Sequence, residues 1–176
     1  MEEFEKRATK INGVFYWPGL LSFQDYKNEI PLAMPQRNAW CYGNVGILCG
    51  LHHAAKALHD EELQALVKDQ ISQLSLLNIK EHLLDSPIIC HGYSGLILLF
   101  HWSHSVHKNI GLKHSIQVWA DIIIKRKDNL HGLSDIGVDG SKRETFAILD
   151  GSVGSVLSLL LLVKENTSFQ KISAFI

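Results

Sequence analysis

The stretch Cys90-His91-Gly92-Tyr93-Ser94-Gly95-Leu96 places a thiol beside an imidazole, continues with a Gly-x-x-Gly pattern, and leads into an apolar run that ends at Phe100. The same layout occurs at Trp40–Gly46 and again at Leu149–Gly154. The first glycines of the three copies stand at positions 43, 92 and 151. A repeat with a period of about 50 residues is typical of an array of supersecondary units.

Composition and charge set broad bounds on the function. The chain has 176 residues, 46% of them hydrophobic and 20% charged, which is typical of a single globular domain. A formal net charge of −1 gives no electrostatic reason to expect nucleic acid or an anionic membrane as a partner. The acidic start Met1–Arg7 does not resemble a secretion signal. Three cysteines, an odd number, predict reduced thiols and a cytoplasmic protein.

Residues 41–176 are predicted to form helical repeats. Apolar residues recur at helical spacing in five segments, which are 47–58, 61–77, 96–107, 113–127 and 154–164. The segments that follow the glycines are apolar on most sides, which favours an inner layer of helices, and the other two are half polar, which favours an outer layer. Two such layers predict an all-α fold, an α/α toroid. The glycines would allow positive φ in the turns and let backbones converge.

Three parts of the sequence are less regular. Residues 1–40 predict an irregular lead-in, where Asn12-Gly13 is a turn signal and Val14–Trp17 is either a short strand or an aromatic plug. The polar segment 128–143 predicts a long loop. Residues after 164 could add another short helix.

A candidate metal site follows from the repeat. If every Gly-x-x-Gly lies at the same end of the ring, then Cys41, Cys90 and His91 point into one bowl. Two thiolates and one imidazole are three ligands for zinc, with the fourth tetrahedral position open for water or substrate. In the alternative interpretation, the two cysteines are small buried hydrophobic residues at helix starts.

Other residues with metal-binding or catalytic side chains give weaker signals. Cys49 lies near the apolar face of a predicted helix and is interpreted as a core residue. Asp150 has two interpretations, a helix cap, which we favour, and a polar group on the rim of the bowl.

The remaining histidines also carry little signal. His101, His104 and His107 recur every three residues. At this spacing His101 and His107 do not lie on the same helix face, so the pattern indicates a metal site only weakly. His52 and His53 are adjacent and cannot both face one side of a helix, so at least one is expected to be solvated.

The motifs carry a family resemblance. Arg37–Gly46 and Cys90–Gly95 resemble the two zinc-ligand motifs of the lanthionine synthetase C-like family, the lanthipeptide cyclases. Asp150–Gly154 resembles the glycine motif near that family's C-terminus, and Asn12–Gly19 resembles the stretch before the first zinc cysteine. The resemblance runs through most of the chain in the correct order.

The resemblance implies a zinc site at Cys41, Cys90 and His91 and a cyclisation reaction on a dehydrated precursor peptide. In that reaction a cysteine thiol adds to dehydroalanine or dehydrobutyrine in a Michael-type addition and forms a thioether ring. Arg37 and Tyr42 become candidate catalytic or substrate-contacting groups by the same analogy. The alternatives are a surface ion pair for Arg37 and packing beneath the turn for Tyr42.

The sequence also departs from the family. It corresponds to roughly the C-terminal half, so we expect a single domain, residues 1–176, that forms a partial toroid. The family's His-Gly-x-x-Gly motif and aspartate, proposed to transfer protons, have no match before Arg37. Whether the chain is an enzyme is therefore open. It is either a cyclase or its zinc-bearing part, or a truncated non-catalytic remnant that binds zinc or peptide. A third possibility is a structural helical-repeat protein whose concave face only binds a partner.

A half ring would expose apolar inner helices, so the resemblance further suggests association with another chain that completes the toroid. It implies a role in the biosynthesis of lanthipeptide antibiotics in the cytoplasm. A dehydratase and an exporter at the membrane are the expected pathway partners.

Overall fold

A computed structural model of the chain describes residues 6–30, 34–108, 110–125, 135–136, 140–143 and 145–163. The described part is mostly helical. Its helices are α1 (Phe23–Lys27), α2 (Asn44–Ala57), α3 (Glu61–Leu76), α4 (Tyr93–His107), α5 (Ile110–Lys125) and α6 (Ser152–Val163), with a short 3₁₀ helix at Ile79–His82. Its short strands are β1 (Thr9–Ile11), β2 (Val14–Tyr16), β3 (Asp135–Ile136) and β4 (Lys142–Arg143).

The helices form two layers. Helices α2, α4 and α6 follow the three glycine pairs, and α4 packs between α2 and α6. Helices α3 and α5 pack on the other side of α4 and against each other. Residues 92–100 are all buried, as expected for a helix with neighbours on every side. The layered arrangement confirms the predicted partial α/α toroid.

The outer helix α3 illustrates how sequence fixes an element. Asp60 caps its N-terminus, because the carboxylate accepts a hydrogen bond from the backbone N–H of Leu63 at 2.9 Å. Glu61 and Glu62 place negative charge at the positive end of the helix dipole. The side chains on its apolar face are buried in the core; they are Leu63, Val67, Ile71 and Leu74.

The N-terminal lead-in contains a β-hairpin, so Val14–Tyr16 is a strand. Strands β1 and β2 pair antiparallel, with Thr9 opposite Tyr16. The turn uses Asn12 at φ 50° and Gly13 at φ 89°, left-handed conformations that these residue types favour. The hairpin is tied to α3 by Gln70, whose Oε1 accepts from the Phe15 N–H at 2.7 Å and whose Nε2 donates to the Gly13 carbonyl at 3.2 Å.

Glycine is needed at these pairs because other backbone atoms lie very close to them. The inner helices begin at Asn44, Tyr93 and Ser152, so the second glycine of each pair lies in the first helical turn. The expectation that these glycines adopt positive φ is wrong for the first glycines of the first two copies, because φ is 174° at Gly43 and −132° at Gly92.

At each first glycine, the surrounding backbone leaves too little space for a side chain. A Cβ at Gly43 would lie 2.2 Å from the Arg37 carbonyl oxygen, and a Cβ at Gly92 would lie 2.2 Å from that of Ser86. In the third copy, Gly151 meets the Thr145 carbonyl oxygen at 2.3 Å. In every copy the oxygen belongs to the residue six positions earlier. The three copies therefore repeat in backbone structure as well as in sequence.

Several predictions fall partly or wholly outside the described residues. Within the predicted loop 128–143, β3 pairs antiparallel with β4, and most other positions are outside. The acidic start, residues 1–5, and the suggested short helix after 164 are also outside. Among the residues that the structure does describe, no helix combines the length and apolar character needed to cross a bilayer.

Candidate metal centre

Backbone hydrogen bonds join the three motif loops in series. The N–H of Cys41 donates to the carbonyl oxygen of Cys90 at 3.0 Å. The N–H groups of Ile89 and Cys90 both donate to the carbonyl oxygen of Leu149, at 3.1 and 3.0 Å. The loops before α2, α4 and α6 therefore meet at the same end of the inner layer, as the sequence predicts.

This meeting point brings three potential ligand atoms together. The sulfurs of Cys41 and Cys90 and a ring nitrogen of His91 all lie within 4.8 Å of one another. Within the described residues this is the only group of three or more His, Cys, Asp or Glu side chains arranged to hold a metal ion. Cys41 is exposed and the other two are partly buried, so the cluster is open to one side.

The donor set fits zinc. Tetrahedral zinc with bonds of about 2.3 Å to sulfur and about 2.0 Å to nitrogen needs ligand atoms roughly 3.5 to 3.8 Å apart. The observed spread allows such an arrangement with small side-chain movements. Three soft or borderline protein ligands also leave a fourth position, as catalytic zinc sites do.

The thiol of Cys90 lies in an unfavourable environment for a negative charge. Burial raises its pKa most, and the neighbouring Cys41 thiol and the Asp150 carboxylate raise the pKa further through hydrogen bonds and like charge. The contact of Asp150 with Cys90 agrees with the second interpretation of that residue, a polar group on the rim of the bowl.

Tyr42 lies at the open side of the cluster. Its side chain is 49% exposed, and its ring stacks on that of His91 with centroids 6.4 Å apart and an interplanar angle of 20°. The interpretation of Tyr42 as a residue packed beneath the turn is therefore wrong.

Arg37 forms the surface ion pair that the sequence offered as one alternative. Its Nη2 lies 3.6 Å from Oδ2 of Asp85, and the two side chains are 34% and 67% exposed. A role for Arg37 in substrate contact stays a prediction.

A cavity of about 780 Å³ opens beside Cys41. It runs along the first turns of α2, and its lining includes Tyr42, Gly46, Gly50 and Pro18. At Gly50 a Cβ would meet no atom within 4 Å, so this wall is open. Nothing in the sequence pointed directly to the cavity, although a glycine in the middle of a helix, such as Gly50, destabilises the helix and can indicate close approach of a ligand.

The weaker candidates are not part of the cluster, although Cys49 and His53 line the cavity beside Cys41. Cys49 packs partly buried against the core, as interpreted, and burial raises its pKa to about 12. His52 is buried, edge-on to Trp102 at 4.5 Å, and its neighbour His53 is exposed, as expected for at least one of the two, although the His53 ring also lies 6.2 Å from that of Trp102.

The predicted histidine triplet does not join the site. His101 and His104 belong to no metal-binding group among the described residues. The side chain of His107 falls outside the described part.

Sequence reasoning missed a buried polar pair behind the site. Asn38 and His82 are 0% and 1% exposed, and their side chains lie 3.2 Å apart. The pair joins residues 44 positions apart, which no local pattern indicates. The segment before Cys41 also contains Gln36 and Arg37, so its composition does not mark Asn38 as buried.

Comparisons with known proteins agree with this geometry. A family model described as "Lanthionine synthetase C-like protein" matches residues 1–174. Among solved structures, nisin cyclase is similar, with a TM-score of 0.70 and 22% sequence identity over 98% of this chain. The match covers 41% of that chain, so the present chain spans less than half its length. No curated protein matches the sequence significantly.

Proposed function

The chain belongs to the lanthionine synthetase C-like family, and from this premise we propose that it is the zinc-bearing part of a lanthipeptide cyclase. In the reaction, a cysteine thiol of a dehydrated precursor peptide adds to the β-carbon of a dehydroalanine or dehydrobutyrine. One C–S bond forms, the C=C bond becomes single, and the α-carbon gains a proton to balance the one that the thiol loses. The convergence of Cys41, Cys90 and His91 beside an open cavity carries the proposal.

The three clustered side chains would hold the metal. Bound zinc would supply an open coordination position at which a peptide thiol is deprotonated near neutral pH. As thiolates, Cys41 and Cys90 would hold the metal and lower its net positive charge. The Tyr42 ring lies beside that of His91, nearly parallel to it, with centroids 6.4 Å apart.

The cavity beside Cys41 would take the peptide. Its partly apolar lining would contact apolar side chains of the peptide. Tyr42 stands exposed at the rim, where it can contact the peptide directly. Arg37 lies half-buried beside Asp85 and supports the loop that leads to Cys41, or reaches the peptide itself.

Completion of the ring requires further inner helices, from another chain or from a part of the same protein outside the given residues. The family's upstream proton-transfer motif has no counterpart before Arg37, so the acid that protonates the α-carbon would come from the segment or partner that supplies further inner helices. Helix α6 offers a surface for it, because this helix has no charged residue and exposes Val153, Val156, Leu160 and Val163. A dehydratase and an exporter would act before and after this step, with the chain in the cytoplasm.

Metal analysis of the purified protein tests the proposal. We expect about one zinc per chain in the wild type and loss of zinc in Cys90→Ala. Cys49→Ala is the matched control, since it removes a thiol that packs against the core and leaves the cluster intact. A folded wild-type protein that takes up no zinc would contradict the proposed site.

A cyclisation assay then separates an enzyme from a remnant. Because thioether formation leaves the peptide mass unchanged, the readout is the loss of alkylatable thiols in a dehydrated peptide. Thiol loss that depends on Cys90, alone or with an added partner chain, supports the cyclase. Zinc binding without thiol loss under either condition favours the non-catalytic remnant.

A further inference from the structure

Asn38 ties the segment before Cys41 to the outer layer. It is fully buried, and its backbone N–H donates to the carbonyl oxygen of His82 at 3.0 Å. Its side-chain Nδ2 lies 3.2 Å from Nδ1 of His82. Two hydrogen bonds therefore join this segment to the 3₁₀ helix Ile79–His82. Asn38 stands three residues before Cys41, the first proposed metal ligand.

The ring of His82 is itself held on several sides. It hydrogen-bonds to the backbone of Leu77 and stands edge-on to Trp119, with centroids 4.8 Å apart and an angle of 85°. Burial lowers the pKa of His82 to about 4, so the ring is neutral near pH 7 and Nδ1 can accept the proton of the Asn38 amide.

The same tryptophan also supports the second ligand loop. Tyr93, two residues after His91, stacks on Trp119 with centroids 5.1 Å apart. The Tyr93 hydroxyl donates to the carbonyl oxygen of Leu84 at 2.7 Å. Trp119 on α5 therefore contacts two residues that support the ligand loops. One is His82, which holds the segment before Cys41, and the other is Tyr93, the first residue of α4, which follows the loop of Cys90 and His91.

We propose that Asn38 and His82 are positioning residues that fix where Cys41 presents its sulfur to Cys90 and His91. The segment 38–41 is anchored at one end to His82 and at the other by the Cys41 N–H bond to Cys90. A short chain between two anchors has little freedom, so its thiol is preorganised for a metal. This inference rests on the proposed zinc site.

Cobalt(II) binding tests the inference without any activity assay. The absorbance of thiolate-to-cobalt charge transfer and of the d–d bands reports the number of bound sulfurs and the geometry. We expect Asn38→Ala to weaken cobalt affinity on the order of tenfold, as loss of outer partners of metal ligands does, and to reduce the thiolate band. The backbone bond of residue 38 survives this change, so binding is not abolished.

Gln70→Ala is the matched control. Gln70 is also a buried amide, 1% exposed, but it ties the hairpin rather than the metal loop. The control should lose stability and keep the cobalt affinity and spectrum of the wild type. Rescue provides a second check, because His82→Asn retains an acceptor near the position of Nδ1 and should bind cobalt better than His82→Phe.

The outcomes are distinguishable. If the wild type shows no cobalt spectrum, the proposed metal site fails. If the wild type binds cobalt and Asn38→Ala matches it in affinity and spectrum, or Gln70→Ala weakens binding equally, the positioning role is wrong while the metal site stands. If His82→Phe binds as well as His82→Asn, the Nδ1 acceptor has no part in positioning.

Discussion

At the residue scale, His82 makes stability depend on pH. Its pKa is about 4 in the folded chain, below the usual 6.5, because burial disfavours the charged ring, although the Glu81 carboxylate partly opposes this. Between these two values the unfolded chain binds more protons than the folded one, so stability falls as pH drops. From pH 7 to 4.5 the metal-free protein should lose roughly 2 to 3 kcal/mol through this group.

Urea unfolding of metal-free wild type and His82→Asn at both pH values measures this loss. The variant should lose less stability between pH 7 and 4.5, because asparagine does not titrate, whatever its stability at pH 7. Equal losses in the two proteins would show that His82 is not protonated on unfolding in this range.

Individual site residues were predictable to different degrees. Cys41 and Cys90 were found because they stand at the same place, two residues before the first glycine, in a repeat whose loops hydrogen-bond to one another, and His91 because it directly follows Cys90. The orientation of Tyr42 was not predictable, since the same repeat position holds His91 in the second copy, and whether a ring packs under a turn or stands over the bowl depends on distant packing.

At the scale of elements, the structure predicts that alanine lowers the stability of the protein at Gly92 and raises it at Gly50. Gly92→Ala places a Cβ against backbone atoms of Ser86 and Ile88, with the nearest at 2.2 Å, and these cannot move without shifting the loop. We expect a loss of roughly 1 to 3 kcal/mol of stability. Gly50→Ala meets no atom within 4 Å and should stabilise α2 by about 1 kcal/mol.

Thermal or urea unfolding of both variants provides the measurement, and Gly50→Ala serves as the control for the substitution itself. A Gly92→Ala protein as stable as the wild type would show that the loop is free to shift. The sequence revealed these glycines through their spacing. Their role needed the structure, because close contact with a carbonyl six residues earlier is a matter of backbone path, which residue types alone leave open.

At the scale of the whole molecule, the alternation of apolar and half-polar helices was enough to predict a toroid of two helical layers, and the family resemblance implied that the toroid is partial. Hydrophobic periodicity indicates which sides of a helix are buried. A helix that is buried on most sides belongs to the inner layer, and one that is half polar belongs to the outer layer. The hairpin was only half predicted, because a three-residue strand such as Val14–Tyr16 has too little periodicity to separate it from a packed aromatic cluster.

The open edge of the inner layer predicts association. Val153, Val156 and Leu160 recur at helical spacing on α6 and are 37%, 38% and 52% exposed. In a pure sample the apolar surface available to cover them is on another copy, so we expect concentration-dependent self-association in sedimentation velocity experiments. Leu160→Glu should weaken it on the order of tenfold or more, since burying a leucine is worth about 2 kcal/mol and a buried carboxylate is costly.

Leu76→Glu is the appropriate control, because Leu76 is 77% exposed but lies at the end of α3 in the outer layer. Both variants add the same charge to an exposed leucine, so a general effect of charge on solubility would appear in both. Weaker association in Leu160→Glu alone would identify α6 as the contact. A wild type that stays monomeric at high concentration would mean that this edge does not drive self-association.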